Sequence, residues 1–171
     1  MSELRIRRLE GADSLESLTD LLHRAYAKLA TMGFRYLATY QDVETTRRRI
    51  AKGECYLAVE RELVLGTILV IPPKAMLPLG AGYDRSDAAI LSQFAVEPAR
   101  QRQGIGGRLL DFGEQRAAEL GAREVSVDTA EGATHLLELY EARGYRQVGL
   151  AQWEHTNYRS VLLCKPLGTE R

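Results

Sequence analysis

Residues 101–107 read Gln-Arg-Gln-Gly-Ile-Gly-Gly. They follow an apolar run from Ala88 to Val96 and precede a helical pattern over residues 108–120. A strand that ends in a glycine-rich turn and opens a helix is a device for holding phosphate. The first amides of a helix have no intrahelical partner, and the helix dipole adds positive potential there. Glycine lets the backbone approach an anion without a Cβ in the way. A Walker A loop would end in Gly-Lys-Ser/Thr, whereas Gly107 is followed by Arg108 and Leu109. A dinucleotide fingerprint would need a third glycine where Leu109 stands, close to the start of a βαβ unit. Both nucleotide readings therefore fit poorly.

The rest of the chain sets the context of this turn. Residues 4–9 alternate apolar and polar side chains, as a strand does. Asp13 or Ser14 can cap a helix whose apolar stripe is Leu15, Leu18, Leu22, Ala25 and Leu29. Residues 31–41 are less regular, and a second short helix is expected over residues 42–51. Glu54 to Glu60 and Leu63 to Ile71 read as two strands of a hairpin around Arg61-Glu62. Pro72-Pro73 stops the second strand, because proline cannot donate to the ladder. Residues 74–87 form a loop. Ala88 to Val96 is nearly continuous in apolar character, which predicts a central strand buried on both faces.

After the glycine turn, Leu109, Gly113, Ala117 and Leu120 make a helical stripe that ends at Gly121. A short strand over residues 123–128, a helix over 133–143 with Gly144 as its stop, and strands over 145–150 and 158–165 complete the chain. Trp153 is expected as an anchor at the edge of the core. The order is β-α-α-β-β-β-α-β-α-β-β, an α/β (α+β) domain with a mixed sheet.

The length suits a single domain over residues 1–171. Lysine plus arginine and aspartate plus glutamate number 23 each, and this zero net charge argues against a nucleic-acid footprint. Cys55 and Cys164 both sit in apolar segments and read as buried thiols, not as a disulfide framework. No leader-like or membrane-spanning run is present, so a cytoplasmic location and no membrane partner are the expectations.

Gln101, Gly104 and Gly106 occupy the defined positions of a Gln/Arg-x-x-Gly-x-Gly/Ala loop. Further on, Leu139-Tyr140-Glu141-Ala142-Arg143-Gly144-Tyr145 resembles a Leu-Tyr-x-x-x-Gly-Phe segment, with one short strand between the two motifs. Together with the element order, these features make nearly the whole chain resemble the GNAT superfamily of acetyl-CoA-dependent N-acetyltransferases. The resemblance implies a mixed, mostly antiparallel sheet flanked by about four helices. It implies acetyl-CoA as co-substrate, a small-molecule or peptide amine as acceptor, and direct attack in a ternary complex. No metal is implied, and a homodimer through the C-terminal strands is compatible with it. A CoA-binding sensor of the same fold and an acyltransferase for longer chains are the competing readings.

By the same resemblance, the backbone of Arg102, Gln103, Gly104, Ile105, Gly106, Gly107 and Arg108 grips the pyrophosphate. Phe94 and Val96, with Ala95 between them, offer backbone partners to the pantetheine arm. A bulge splays the fourth strand from the fifth, and an amide there polarises the thioester carbonyl. Tyr140 matches the general acid of the family; the plainer reading packs it with Ala133, Leu136 and Leu137.

Two departures are visible. The fourth strand offers no basic side chain in Leu91-Ser92-Gln93-Phe94, which leaves His23, Glu97, His135 and His155 as candidate bases. Ala133 stands where relatives carry a cofactor-binding Asn, with Thr134 beside it. For the acceptor, Phe34, Tyr36, Tyr40 and Tyr83 are expected as an aromatic wall, and Asp42, Glu44 or Glu154 as the attraction for an ammonium group. Arg47-Arg48-Arg49 reads as a solvated helix face, with CoA-phosphate docking as the lesser reading.

Overall fold

The computed structural model describes residues 2–73 and 86–168. The elements run β1 (Arg5–Arg8), α1 (Leu15–Thr31), α2 (Leu37–Tyr40), α3 (Val43–Ile50), β2 (Glu54–Glu60), β3 (Leu63–Ile71) and β4 (Ala88–Val96). A 3-10 turn (Pro98–Arg100) leads to α4 (Ile105–Glu119), β5 (Glu124–Ala130), α5 (Thr134–Ala142), β6 (Arg146–Ala151) and β7 (Ser160–Pro166). The sheet has seven strands in the order β1-β2-β3-β4-β5-β7-β6. The β4–β5 pair is parallel and every other pair is antiparallel. This is the mixed, mostly antiparallel sheet expected, flanked by five α-helices instead of about four. The extra one, α2, is a single turn too short to carry an apolar period of its own.

Local chemistry sets the boundaries. The Ser14 side chain accepts from the Ser17 amide and caps α1; the Asp42 side chain accepts from Thr45 and caps α3. Arg61 and Glu62 both take positive φ, at 47° and 66°, so the β2–β3 hairpin closes through two left-handed residues.

Strand parity divides the core into two layers. Tyr56 and Ala58 of β2 face α4 together with Ile68, Val70, Leu109, Leu110 and Ala117. Cys55, Leu57 and Val59 face the other way, onto Leu18 of α1. Burying each large aliphatic side chain contributes roughly 1.5–3 kcal/mol, so the period-two pattern is strongly enforced. Both cysteines are buried and unbridged, as expected.

The central strand corrects the sequence reading. Alternate residues Ile90, Ser92, Phe94 and Val96 are only half buried. The strand also carries a register shift: Thr67 pairs with Ala95, but Leu69 pairs with Ser92. Gln93 lies inside the extra length and takes φ 47°. The bulge inverts the parity of the strand. Before it, Ala89 and Leu91 face α4; after it, Phe94 and Val96 do, and Ala95 turns to Leu22 and Ala38 on the opposite side.

No helix among the described residues is long and apolar enough to cross a membrane. Most of the expected loop over residues 74–87, Tyr83 included, lies outside the described residues.

Candidate active site

β4 and β5 pair only over Ala88–Ile90 and Glu124–Ser126. Beyond Ile90 the bulge carries β4 away, and a cavity of about 250 Å³ opens between the strands and helices. Its wall includes Ser92, Gln93 and Phe94 of β4, Val127 and Asp128 of β5, and Tyr140 of α5. On the helical side Tyr26, Tyr36 and Arg49 line it, and Trp153, His155 and Tyr158 close the remaining side.

The glycine turn stands at the end of β4. Gly104 takes φ 82° and serves as the N-cap of α4 with no side-chain cap bond. The first intrahelical bond runs from the Arg108 amide to the Gly104 carbonyl, at 3.1 Å. The amides ahead of Arg108 therefore have no partner within the helix and can receive phosphate oxygens. Gly106 lies against β4: a Cβ there would stand 3.2 Å from the Phe94 ring. Ile105 is buried, while Gln101, Arg102, Gln103, Gly104 and Arg108 are exposed. The Gln101 amide group donates to the Val96 carbonyl at 3.3 Å, and Gln103 accepts from Arg100 at 2.8 Å. The Arg108 guanidinium donates to the Leu4 carbonyl at 3.0 Å, so its charge reaches back to the start of the chain.

The two strand carbonyls expected to meet a pantetheine arm already have protein donors. Val96 has Gln101, and Phe94 accepts from the Tyr26 hydroxyl at 3.0 Å. A carbonyl carries two lone pairs, so each can accept once more.

Tyr140 does both things the sequence allowed. It is 7% exposed and packs with Tyr145 in the main core, ring centroids 5.4 Å apart, and it also reaches the cavity wall. Burial, with smaller contributions from Tyr26, Asp128 and Tyr36, pushes its phenol well above the ordinary tyrosine range. The group is therefore neutral at physiological pH, a hydrogen-bond donor facing the cavity.

The aromatic wall differs from the expected one. Tyr36 is on it, its hydroxyl 2.6 Å from Thr129 Oγ1 and accepting the Ala130 amide at 2.9 Å. Tyr26 and Tyr158, which sequence reasoning passed over, flank Tyr36 at centroid distances of 5.4 and 4.8 Å. Phe34 instead packs edge-on against Tyr158, and Tyr40 lies on the exterior under Arg35.

The charged groups also differ. Asp42 is used as a helix cap and Glu44 pairs with Arg47 in the solvent; Glu154 is exposed and outside the cavity lining. The carboxylate on the cavity is Asp128, whose Oδ2 accepts from the Trp153 indole at 3.0 Å. Trp153 is thus a cavity residue as well as an edge anchor. Arg49 is not on a solvated face: it points inward and donates to Gln41 at 2.7 Å and to Ser92 at 3.1 Å.

Of the four candidate bases, only His155 reaches the cavity. Burial first, then the cation of Arg49, holds its imidazole below the usual value. His23 donates from Nε2 to the Gln41 carbonyl at 2.7 Å, and Glu97 binds Arg24 at 2.7 Å. His135 is exposed on α5. Ala133 is fully buried beside Leu29 and Ala130 and gives α5 no side-chain cap.

A profile of the acetyltransferase (GNAT) family matches residues 15–145. Among curated proteins, the chain is 30% identical over 144 residues to S-(2-succino)cysteine N-acetyltransferase of Bacillus subtilis (strain 168), covering 83% of this chain and 84% of that one. Among solved structures, a GNAT family acetyltransferase from Elizabethkingia anophelis with acetyl-CoA bound superposes with a TM-score of 0.70 at 21% identity, over 96% of this chain and 98% of that one. The ribosomal-protein-S18-alanine N-acetyltransferase of Escherichia coli gives 0.71 at 17% identity, over 99% and 97% of the two chains. At these identities the two structures speak for the fold.

Proposed function

The chain belongs to the acetyltransferase (GNAT) family and is an acetyl-CoA-dependent acetyltransferase; we propose that it acetylates a small-molecule primary amine by direct attack in a ternary complex. Residues 1–171 act as one catalytic domain in this reading. The observation that carries it is the parting of β4 from β5 beyond Ile90, which opens a cavity bearing Tyr140 beside a strand that leads into an uncapped helix N-terminus.

The roles follow from the chemistry of those groups. The amides between Arg102 and Arg108 receive the pyrophosphate. The exposed edge of β4 at Phe94, Ala95 and Val96 lies along the pantetheine. The acceptor's ammonium group gives up a proton to water in the cavity, and the freed amine nitrogen attacks the thioester carbonyl. The left-handed residue Gln93 turns a peptide group out of the ladder, and an amide so turned can stabilise the developing oxyanion. The carbon–sulfur bond then breaks as the nitrogen gives up its remaining extra proton to water, and the departing thiolate takes a hydrogen bond, and finally a proton, from Tyr140, which solvent reprotonates. Because burial raises the Tyr140 pKa, stabilisation of the sulfur by the neutral phenol precedes proton release. Neither cysteine serves as a nucleophile in this scheme: burial pushes the Cys55 thiol up to about 11, and Cys164 is buried against Ser126.

The Bacillus subtilis relative is named for S-(2-succino)cysteine, a small-molecule amine, which supports an acceptor of that size here. The test is thermal stability with acetyl-CoA, CoA and NAD, followed by thiol release against an amine panel. Stabilisation by the two CoA species and not by NAD is expected, because a ligand that binds only the folded state raises stability by mass action. No shift with either CoA species would overturn the assignment of the glycine turn.

A further inference from the structure

Arg49, one of two cations on the cavity wall with Lys52, is left unused by the acetyl-transfer scheme. Arg47 and Arg48, its neighbours on α3, point to solvent and bond within their own helix, to Glu44 and Thr45. Arg49 alone turns inward, and a buried network built by other elements holds it there. Gln41, 2% exposed, accepts from Arg49 Nη1 at 2.7 Å and donates to Thr46 and to Gln93 at 2.8 Å each. Thr46 is fully buried and meets Thr19 of α1 at 2.7 Å. Ser92, next to the bulge, accepts from Arg49 Nη2 at 3.1 Å.

All the described partners of this guanidinium are neutral. No carboxylate is paired with the half-buried Arg49 guanidinium among the described residues. A guanidinium carries five N–H donors, and two hydrogen bonds are described here. Its planar fork matches a carboxylate in geometry and charge. Asp128 lines the same cavity from β5, its carboxylate oriented by Trp153. Two cations, Arg49 and Lys52, and the carboxylate of Asp128 thus face one cavity of about 250 Å³.

We infer that the acceptor is an amine that also bears a carboxylate, an amino-acid-type zwitterion whose carboxylate docks on Arg49 and whose ammonium group is drawn by Asp128. The inference rests on the acetyltransferase reading and adds the acceptor class to it. Arg49 is a binding residue in this account; it takes no part in the transfer of the acetyl group.

The experiment measures thiol release from acetyl-CoA with L-methionine, L-phenylalanine and L-leucine, each against its own α-carboxamide, for wild type, Arg49→Gln and Arg49→Lys. In the wild type, kcat/KM for the acids should exceed that for the amides by about tenfold or more, the loss expected when a charge-assisted pair is removed. In Arg49→Gln that preference should fall to within about twofold, with acetyl-CoA still stabilising the protein. Arg49→Lys keeps the charge without the fork and should retain an intermediate preference, a control should the glutamine variant fold poorly. Amides used as well as acids by the wild type would overturn the inference. So would acetylation confined to amines without a carboxylate, or an unchanged preference in both variants. Absence of any stabilisation by acetyl-CoA in the wild type would instead refute the acetyltransferase reading beneath it.

Discussion

The Tyr26 hydroxyl donates to the Phe94 carbonyl at 3.0 Å, across 68 residues of sequence. It pins α1 to β4 just past the bulge, where the strand has left its parallel partner and has no ladder to hold it on that side. Removing the donor in Tyr26→Phe should cost about 1 kcal/mol, or a fall in Tm of roughly 2–4 °C for a chain of this size. Calorimetric melting of the two proteins checks this. An unchanged Tm would mean that β4 holds its course without the helix.

Tyr140→Phe keeps the ring that packs on Tyr145 and deletes only the donor on the cavity. Little change in stability or in acetyl-CoA affinity is expected, with kcat falling about tenfold or more, as for loss of a general acid. Steady-state kinetics with saturating acetyl-CoA separate the two terms. A full rate in the phenylalanine variant would return Tyr140 to a purely packing role.

Gly104 stands at φ 82° with open space around its missing Cβ, so the penalty of a side chain there lies in the backbone alone. Gly104→Ala should lose about 1–2 kcal/mol if the turn is kept. If the turn relaxes instead, acetyl-CoA binding weakens. Gly104→Asn should be milder in both respects, since asparagine tolerates the left-handed region. Equal behaviour of the two variants in a thermal titration with acetyl-CoA would contradict this.

Glu54 gives the stability a dependence on acid. Arg116 first, then Tyr56 and Arg8, hold its carboxylate down to about 2, against an ordinary value of 4.5. Arg116 donates at 2.8 and 3.1 Å, and Tyr56 at 2.6 Å. The folded protein thus releases this proton more readily than the unfolded chain. The contribution is complete above pH 4.5 and is lost as pH falls toward 2. Arg116 is partly open to solvent, so screening holds the effect well below what the shift alone would give. Melting curves of wild type and Glu54→Gln should therefore differ at neutral pH and converge in acid. A gap that persists undiminished at the acid end would show that the ion pair is not its source.

Much of the framework could be read locally. The β2–β3 hairpin, its turn at Arg61-Glu62 and the limits of β4 coincide with the sequence pattern, because alternation, proline and the end of an apolar run act between near neighbours. The glycine turn opens α4 for the same reason. The ends of β5, β6 and β7 shift by one or two residues, since strand length depends on the partner that continues the ladder. The site was less legible. Four bases could be named, yet His23 and Glu97 are taken up by Gln41 and Arg24, and only His155 faces the cavity.

Arg49 looked like its two exposed neighbours, and Asp128 was one residue of a short strand with nothing to single it out. Helical period alone cannot say which of three consecutive arginines turns inward. That was decided by Gln41 and Ser92, the latter 43 residues away. The bulge at Gln93 exchanges the faces of every later residue in β4, and it depends on register with β3, a long-range property. Sequence periodicity therefore determined the elements and their order. The tertiary structure decided which polar side chains meet in one cavity, because such side chains are held by hydrogen-bond partners from distant segments.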